Sequence, residues 1–307
     1  MAVKIYQDGA FHLLAGAKVY HNGAWVTLSQ SAKIYLNNAW HYLGNVSSGS
    51  GSSSGSSSSG GSSGPELRSS GVVLYSGLSL LSRTVVSSAT IMNGTAIGSN
   101  YTMAVYSGGT ANSTTVNSRS YLHVYSGGTA NSTTVNSSGN LSAHYGDTAN
   151  SVTVNYGARV FIDSGGTITD IVENGGYVYV PNGASATFTP NTISGLSIYD
   201  MGATVHSGTT AVYTTVDDQG TLEVYSGGTA HDTTLMPRSW LVLSGGEAAN
   251  VSVQSFGYAV IHGGTVTNIT VQSGGYLDVR SGGTALDVTS MAGAEIIVSN
   301  GGTITYA

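Results

Sequence analysis

The chain has 307 residues, of which only 8% are charged, a net charge of -6 and no cysteine. With no basic cluster to oppose that charge, it lacks the electrostatic footprint of a nucleic-acid binder, and an anionic membrane surface is an equally poor partner. The missing thiols exclude disulfides and thiolate metal sites, and no apolar run approaches the roughly 18 residues that a membrane insertion needs.

Residues 1–44 are built on a short repeat. Lys4-Ile5-Tyr6, Lys18-Val19-Tyr20 and Lys33-Ile34-Tyr35 each open a unit. A turn and an aromatic follow in each: Asp8-Gly9 then Phe11, Asn22-Gly23 then Trp25, Asn37-Asn38 then Trp40. Asn-Gly and Asp-Gly supply the positive backbone angles of tight hairpin turns, so each unit is predicted to be a two-stranded hairpin. Three hairpins sharing Tyr and Trp side chains form a core that is marginal alone, and the module is expected to oligomerise or dock onto another protein. The N-terminus lacks the charged-then-apolar layout of a signal peptide, so secretion by the usual route is not expected. Residues 45–71 include SSGSGSSSGSSSSGGSSG, a polar tract with nothing to bury, and are predicted to be a flexible linker.

From residue 72 to 307 a glycine doublet recurs at a spacing of about 18 to 19 residues, as at Gly108-Gly109, Gly127-Gly128, Gly165-Gly166, Gly227-Gly228 and Gly282-Gly283. Ser107 to Asn117 and Ser126 to Asn136 carry the same phrase, SGGTANSTTVN. Within each unit apolar residues keep one register: Ala111, Val116, Leu122 and Val124, then Ala130, Val135, Leu141 and Ala143. Leu122 and Val124 alternate with outward neighbours, which is the rhythm of a half-buried strand, while the glycines mark a sharp corner. About four buried side chains cannot offset the ordering entropy of such a unit, so each is stable only when stacked. The expected fold is all-β: a parallel β-solenoid of about a dozen rungs, each advancing the axis by about 4.8 Å. Residues 72–101 are less regular and are expected to cap it. Between Pro181 and Asp218 the spacing degrades, and a loop or kink is expected there.

Stacking makes columns the natural units of chemistry. Asp170, Asp232, Asn250, Asn268 and Asp287 form one column, which reads as an outward polar ladder rather than a carboxylate pair. The best remaining acid cluster is Asp217-Asp218 with Glu223 nearby. Tyr106, Tyr125 and Tyr145, with Tyr225 later, form an aromatic column suited either to sugar binding or to a stabilising ladder. Phe188, Tyr199, His206 and Tyr213 are further contact candidates in the irregular stretch. Thr110, Thr129, Thr148 and Thr167 flank the glycines and follow from turn chemistry. The eight histidines are scattered singly, so no metal site is assigned, and no phosphate-binding loop or nucleophile motif calls for a cofactor or a catalytic residue.

The phrase SGGTAxxTTVxSxGxLxVY resembles the repeat of AIDA-type autotransporter adhesin passengers, which are β-solenoids on bacterial cells. AKVYHNGAW and AKIYLNNAW look like short repeats of phage tail proteins. An attachment module, a tether and an adhesin-like rod together resemble a phage tail fibre or receptor-binding protein. This implies a virion protein without enzymatic activity, joined to a tail or baseplate protein through 1–44. Its solenoid would recognise a bacterial surface glycan or protein receptor. Assembly as a trimer is compatible with a fibre. The alternatives are a capsule depolymerase using acids such as Asp217, Asp218 and Glu223, and a cell-surface adhesin passenger.

Overall fold

The computed structural model describes residues 90–307 in full and, before residue 90, only the backbone of short strands. The backbone divides into two compact units, one of residues 1–61 and 67–71 and one of 62–66 and 72–307. In the first unit Val3–Gln7 pairs antiparallel with Ala10–Ala15, and Lys18–His21 pairs antiparallel with both Ala10–Ala15 and Ala24–Thr27. Lys33–Leu36 pairs in the same sense with Ala39–Tyr42. The shared aromatic core expected of residues 1–44 and the linker expected of 45–71 lie outside the residues described in full.

The second unit is a parallel β-solenoid of about eleven turns with repeats of about 19 residues. Tyr121–Val124 lies between Thr102–Val105 and Asn140–Ala143, in strict register with both. Thr129–Val135 pairs likewise with Thr148–Asn155. The register expected from the apolar pattern holds: Ala111, Val116, Leu122 and Val124 are all fully buried, as are Ala130, Val135, Leu141 and Ala143. Tyr121, pointing the other way from Leu122, is 44% exposed. Each of these rungs thus adds its inward side chains to a core that is shared with its neighbours.

Two devices bend the chain around that core. Gly127 has φ +76, a left-handed conformation that L side chains rarely adopt. Its neighbour Gly128 serves a different need: a Cβ there would stand 2.6 Å from the carbonyl oxygen of Val105 in the preceding rung. The second device is a left-handed residue inside the long strand, such as Ser132 with φ 53, which lets Ala130, Thr133 and Val135 all face inward. Ser113, Ser151, Asp170, Asp232, Asn250, Asn268 and Asp287 occupy the same place, all with positive φ. Asn and Asp tolerate this conformation because their short polar side chains bond locally, so backbone geometry explains the column of amides and acids.

Residues 72–101 are built into the stack: Val73–Ser76, Ser79–Leu80 and Thr84–Val86 pair parallel with Thr90–Asn93, Ala96–Ile97 and Thr102–Val105, so the strands of 73–86 make one rung in register with the next. The irregularity expected after Pro181 is real and takes the form of a seam. The first sheets end at Tyr177–Tyr179 and Ser185–Phe188, and a new sheet starts at Asn191–Ser194, just past Pro190, which has no backbone N–H to donate. Separate apolar cores lie on either side. Glu173 marks the seam because it stands in register with Val154, where a buried valine would continue the inward row. Its fully buried carboxylate accepts hydrogen bonds from the Thr204 hydroxyl and the His206 backbone N–H, each at 2.7 Å. Nδ1 of the His206 ring lies at the same distance.

Candidate functional site

The outer surface is laddered. Asn131 donates from Nδ2 to Oδ1 of Asn112 at 2.8 Å, and Asn150 donates to Asn131 at 2.8 Å. A second row runs through Asn117, Asn136, Asn155 and Asn174, with spacings of 3.1, 3.0 and 2.9 Å. In the corner column Asn250 donates to Asp232 at 2.9 Å and Asn268 to Asn250 at 2.8 Å, so amides bond along the stack as expected. Sequence reasoning missed the first two rows, although the repeated asparagines of TANSTTVN were their signal. Each amide keeps a second N–H and a second lone pair for other partners.

The aromatic residues fall into two kinds. Tyr106 and Tyr125 stack with ring centroids 4.6 Å apart and planes 8° apart, and Tyr125 stacks on His144 at 4.5 Å and 9°. The third member is therefore His144, bonded onward to Asp163 at 2.7 Å, and Tyr145 stands outside the column. The reason is register: Tyr106 and Tyr125 precede the corner glycine by two places, Tyr145 by one. Tyr145 is 73% exposed, and its ring covers the corner at Gly165. Across the seam Phe188, His206 and Tyr225 form a second stack, at 4.3 and 4.5 Å. Burial and the adjacent Glu223 carboxylate push the Tyr225 hydroxyl well above the usual phenol range. A third stack, Trp240 on Tyr258 at 4.3 Å, leads to a tilted Tyr276. It went unnoticed in the sequence, where these three residues recur at an 18-residue interval. Face-to-face stacking covers the ring faces and leaves the edges outward, which is the geometry of a stabilising ladder.

Tyr199 and Tyr213 are of the other kind. The Tyr199 hydroxyl donates to Asp218 at 3.0 Å, a bond that raises its own pKa, and Arg238 holds the other oxygen of that carboxylate. Asp217 accepts a hydrogen bond from the Asp218 backbone at 2.8 Å, and Glu223 accepts one from Tyr225 at 2.5 Å. The acid cluster is thus engaged in local structure. Tyr213 is 67% exposed and sits at a corner with φ 55, where the other rungs carry Gly, Ser, Asn or Asp.

Two grooves cross this surface. One, of about 570 Å³, lies along the seam between the Asn136–Asn155–Asn174 row and Tyr156, Ile193 and Leu196. The other, of about 390 Å³, is lined by Tyr213, Thr214, Thr215, Asp232, Thr234 and Asn250.

No known family pattern matches the chain, and no curated protein matches it. Among solved structures, a TibC-catalysed hyper-glycosylated fragment of TibA is similar at 29% identity and a TM-score of 0.39, over 76% of this chain and 97% of that one. The Dettilon tailspike protein is similar at 9% identity and a TM-score of 0.30, over 75% of this chain and 62% of that one.

Proposed function

We propose that the chain is a non-enzymatic adhesin of a phage tail. Residues 1–44 join it to a tail or baseplate protein, 45–71 act as a linker, and 72–307 engage a component of the bacterial surface. The observation that carries this reading is the outer surface of the solenoid, where uncharged amides and hydroxyls recur rung by rung beside Tyr145, Tyr199 and Tyr213. Such a surface suits repeated weak contacts, which together give avidity. The repeat phrase shared with adhesin passengers points the same way, by analogy of sequence and fold. A capsule depolymerase is the second reading, and a cell-surface adhesin passenger the third. Against the depolymerase stands the engagement of Asp218 with Arg238 and of Glu223 with Tyr225.

The test is retention of bacterial cells by the immobilised full chain, followed by incubation with the polysaccharide of those cells. Retention with unchanged polysaccharide length is expected. Shortened polysaccharide would establish the depolymerase. Failure to hold cells, together with failure of residues 1–44 to capture a tail protein, would remove the adhesin.

A further inference from the structure

We infer that the groove beside Tyr213 is a binding subsite for a neutral saccharide, with the Tyr213 ring as its stacking surface. This rests on the adhesin reading and assigns it a location. Tyr213 occupies the left-handed corner, with φ 55, in a column otherwise made of Gly94, Gly195 and the short polar residues Ser113, Ser132, Ser151, Asp170, Asp232, Asn250, Asn268 and Asp287. A bulky aromatic is disfavoured in that conformation, and the ring contributes nothing to the core, since the residue is 67% exposed. Local structure therefore gives no reason for a tyrosine there. Among the described residues the ring stacks on no other aromatic, so its face is open, unlike those of Tyr106, Tyr125 and Trp240.

The groove it borders presents the polar side chains of Thr215, Asp232, Thr234 and Asn250, while Thr214 turns its hydroxyl into the core. Asp232 and Asn250 are already joined by one hydrogen bond of 2.9 Å, which leaves the second carboxylate oxygen and a second amide N–H for a ligand. An open aromatic face beside hydroxyls, an amide and a carboxylate suits a pyranose, which presents C–H bonds on one face and hydroxyls around its rim. The lining includes no cation, and Asp232 repels anions, so acidic sugars are disfavoured.

The test uses the full chain, an array of neutral and acidic cell-surface oligosaccharides, and the variants Tyr213→Asn and Tyr213→Phe. The structure predicts that a neutral oligosaccharide binds and that Tyr213→Asn weakens it at least tenfold. The same variant is expected to raise the thermal midpoint, because asparagine is the better corner residue. Tyr213→Phe should keep affinity within about threefold. A structural role for the tyrosine predicts the opposite change in stability. The proposal is overturned if Tyr213→Asn binds like the parent chain, if acidic oligosaccharides are preferred, or if no neutral one binds. In any of those cases, cells still held by the parent chain leave the adhesin reading standing, whereas cells that are not held, with residues 1–44 also capturing no tail protein, remove it independently.

Discussion

The inward row that follows each corner contains five threonines, Thr95, Thr114, Thr133, Thr214 and Thr233, whose hydroxyls are buried with no hydrogen-bond partner in the protein. The same row carries Val152 and Ile171 in the rungs after Thr133, and Val251, Ile269 and Val288 after Thr233. Thr133 is fully buried and pairs directly with Val152, so its site already abuts a valine on the following rung. An unpaired buried hydroxyl costs about 1 to 3 kcal/mol, and valine has nearly the same shape. Thr133→Val is therefore expected to stabilise the solenoid by about 1 to 3 kcal/mol. For a domain of this size that raises the thermal midpoint by roughly 2 to 12 °C. Circular dichroism melts of the parent, Thr133→Val and the outward control Thr134→Val provide the measurement. The control should move the free energy by less than about 0.5 kcal/mol. A Thr133→Val melt that matches the control, or falls below the parent, would show that the hydroxyl has a partner and refute the reasoning.

Two further perturbations probe the corner and the seam. Asp147, 3% exposed, stands where Gly128 and Gly166 stand in neighbouring rungs, and burial pushes its carboxyl up to about 6 from an ordinary 3.8. Because the folded value lies above the unfolded one, its contribution to stability is complete below about pH 4 and is lost as the pH rises through about 6. The shift corresponds to about 3 kcal/mol by pH 8, so Asp147→Asn should exceed the parent in stability there and converge with it near pH 4. A gap that does not vary with pH in denaturant titrations would exclude this origin. At the seam, Glu173→Ala leaves the His206 and Thr204 donors buried without their acceptor and should cost about 3 to 5 kcal/mol in urea unfolding. A loss below about 1 kcal/mol would mean that the two stacks do not depend on the carboxylate.

The fold was legible because its core is written locally. Ala111, Val116, Leu122 and Val124 repeat at a fixed interval, and the period-two alternation and the glycine corners place them on one inward face of a stacked array. The site was less legible, for three physical reasons. Tyr145 shows that a shift of one position removes an aromatic from a stack, which only register against neighbouring rungs exposes. Tyr213 resembles any exposed tyrosine until the backbone angle at its corner is known. Glu173 sits in a sequence position that elsewhere holds valine, yet its partners Thr204 and His206 lie about 30 residues ahead, a separation set by the seam rather than the repeat.

The identical phrases at Ser107–Asn117 and Ser126–Asn136, lying directly one above the other, have a consequence for how such a chain can change. Unequal exchange between the two copies would add or delete one whole layer, and every amide row and inward valine would meet an equivalent partner on the new neighbour. The cross-section would be preserved while the length changed in steps of about 4.8 Å. Length is therefore a quantity this architecture can adjust by copying, independently of its cross-section.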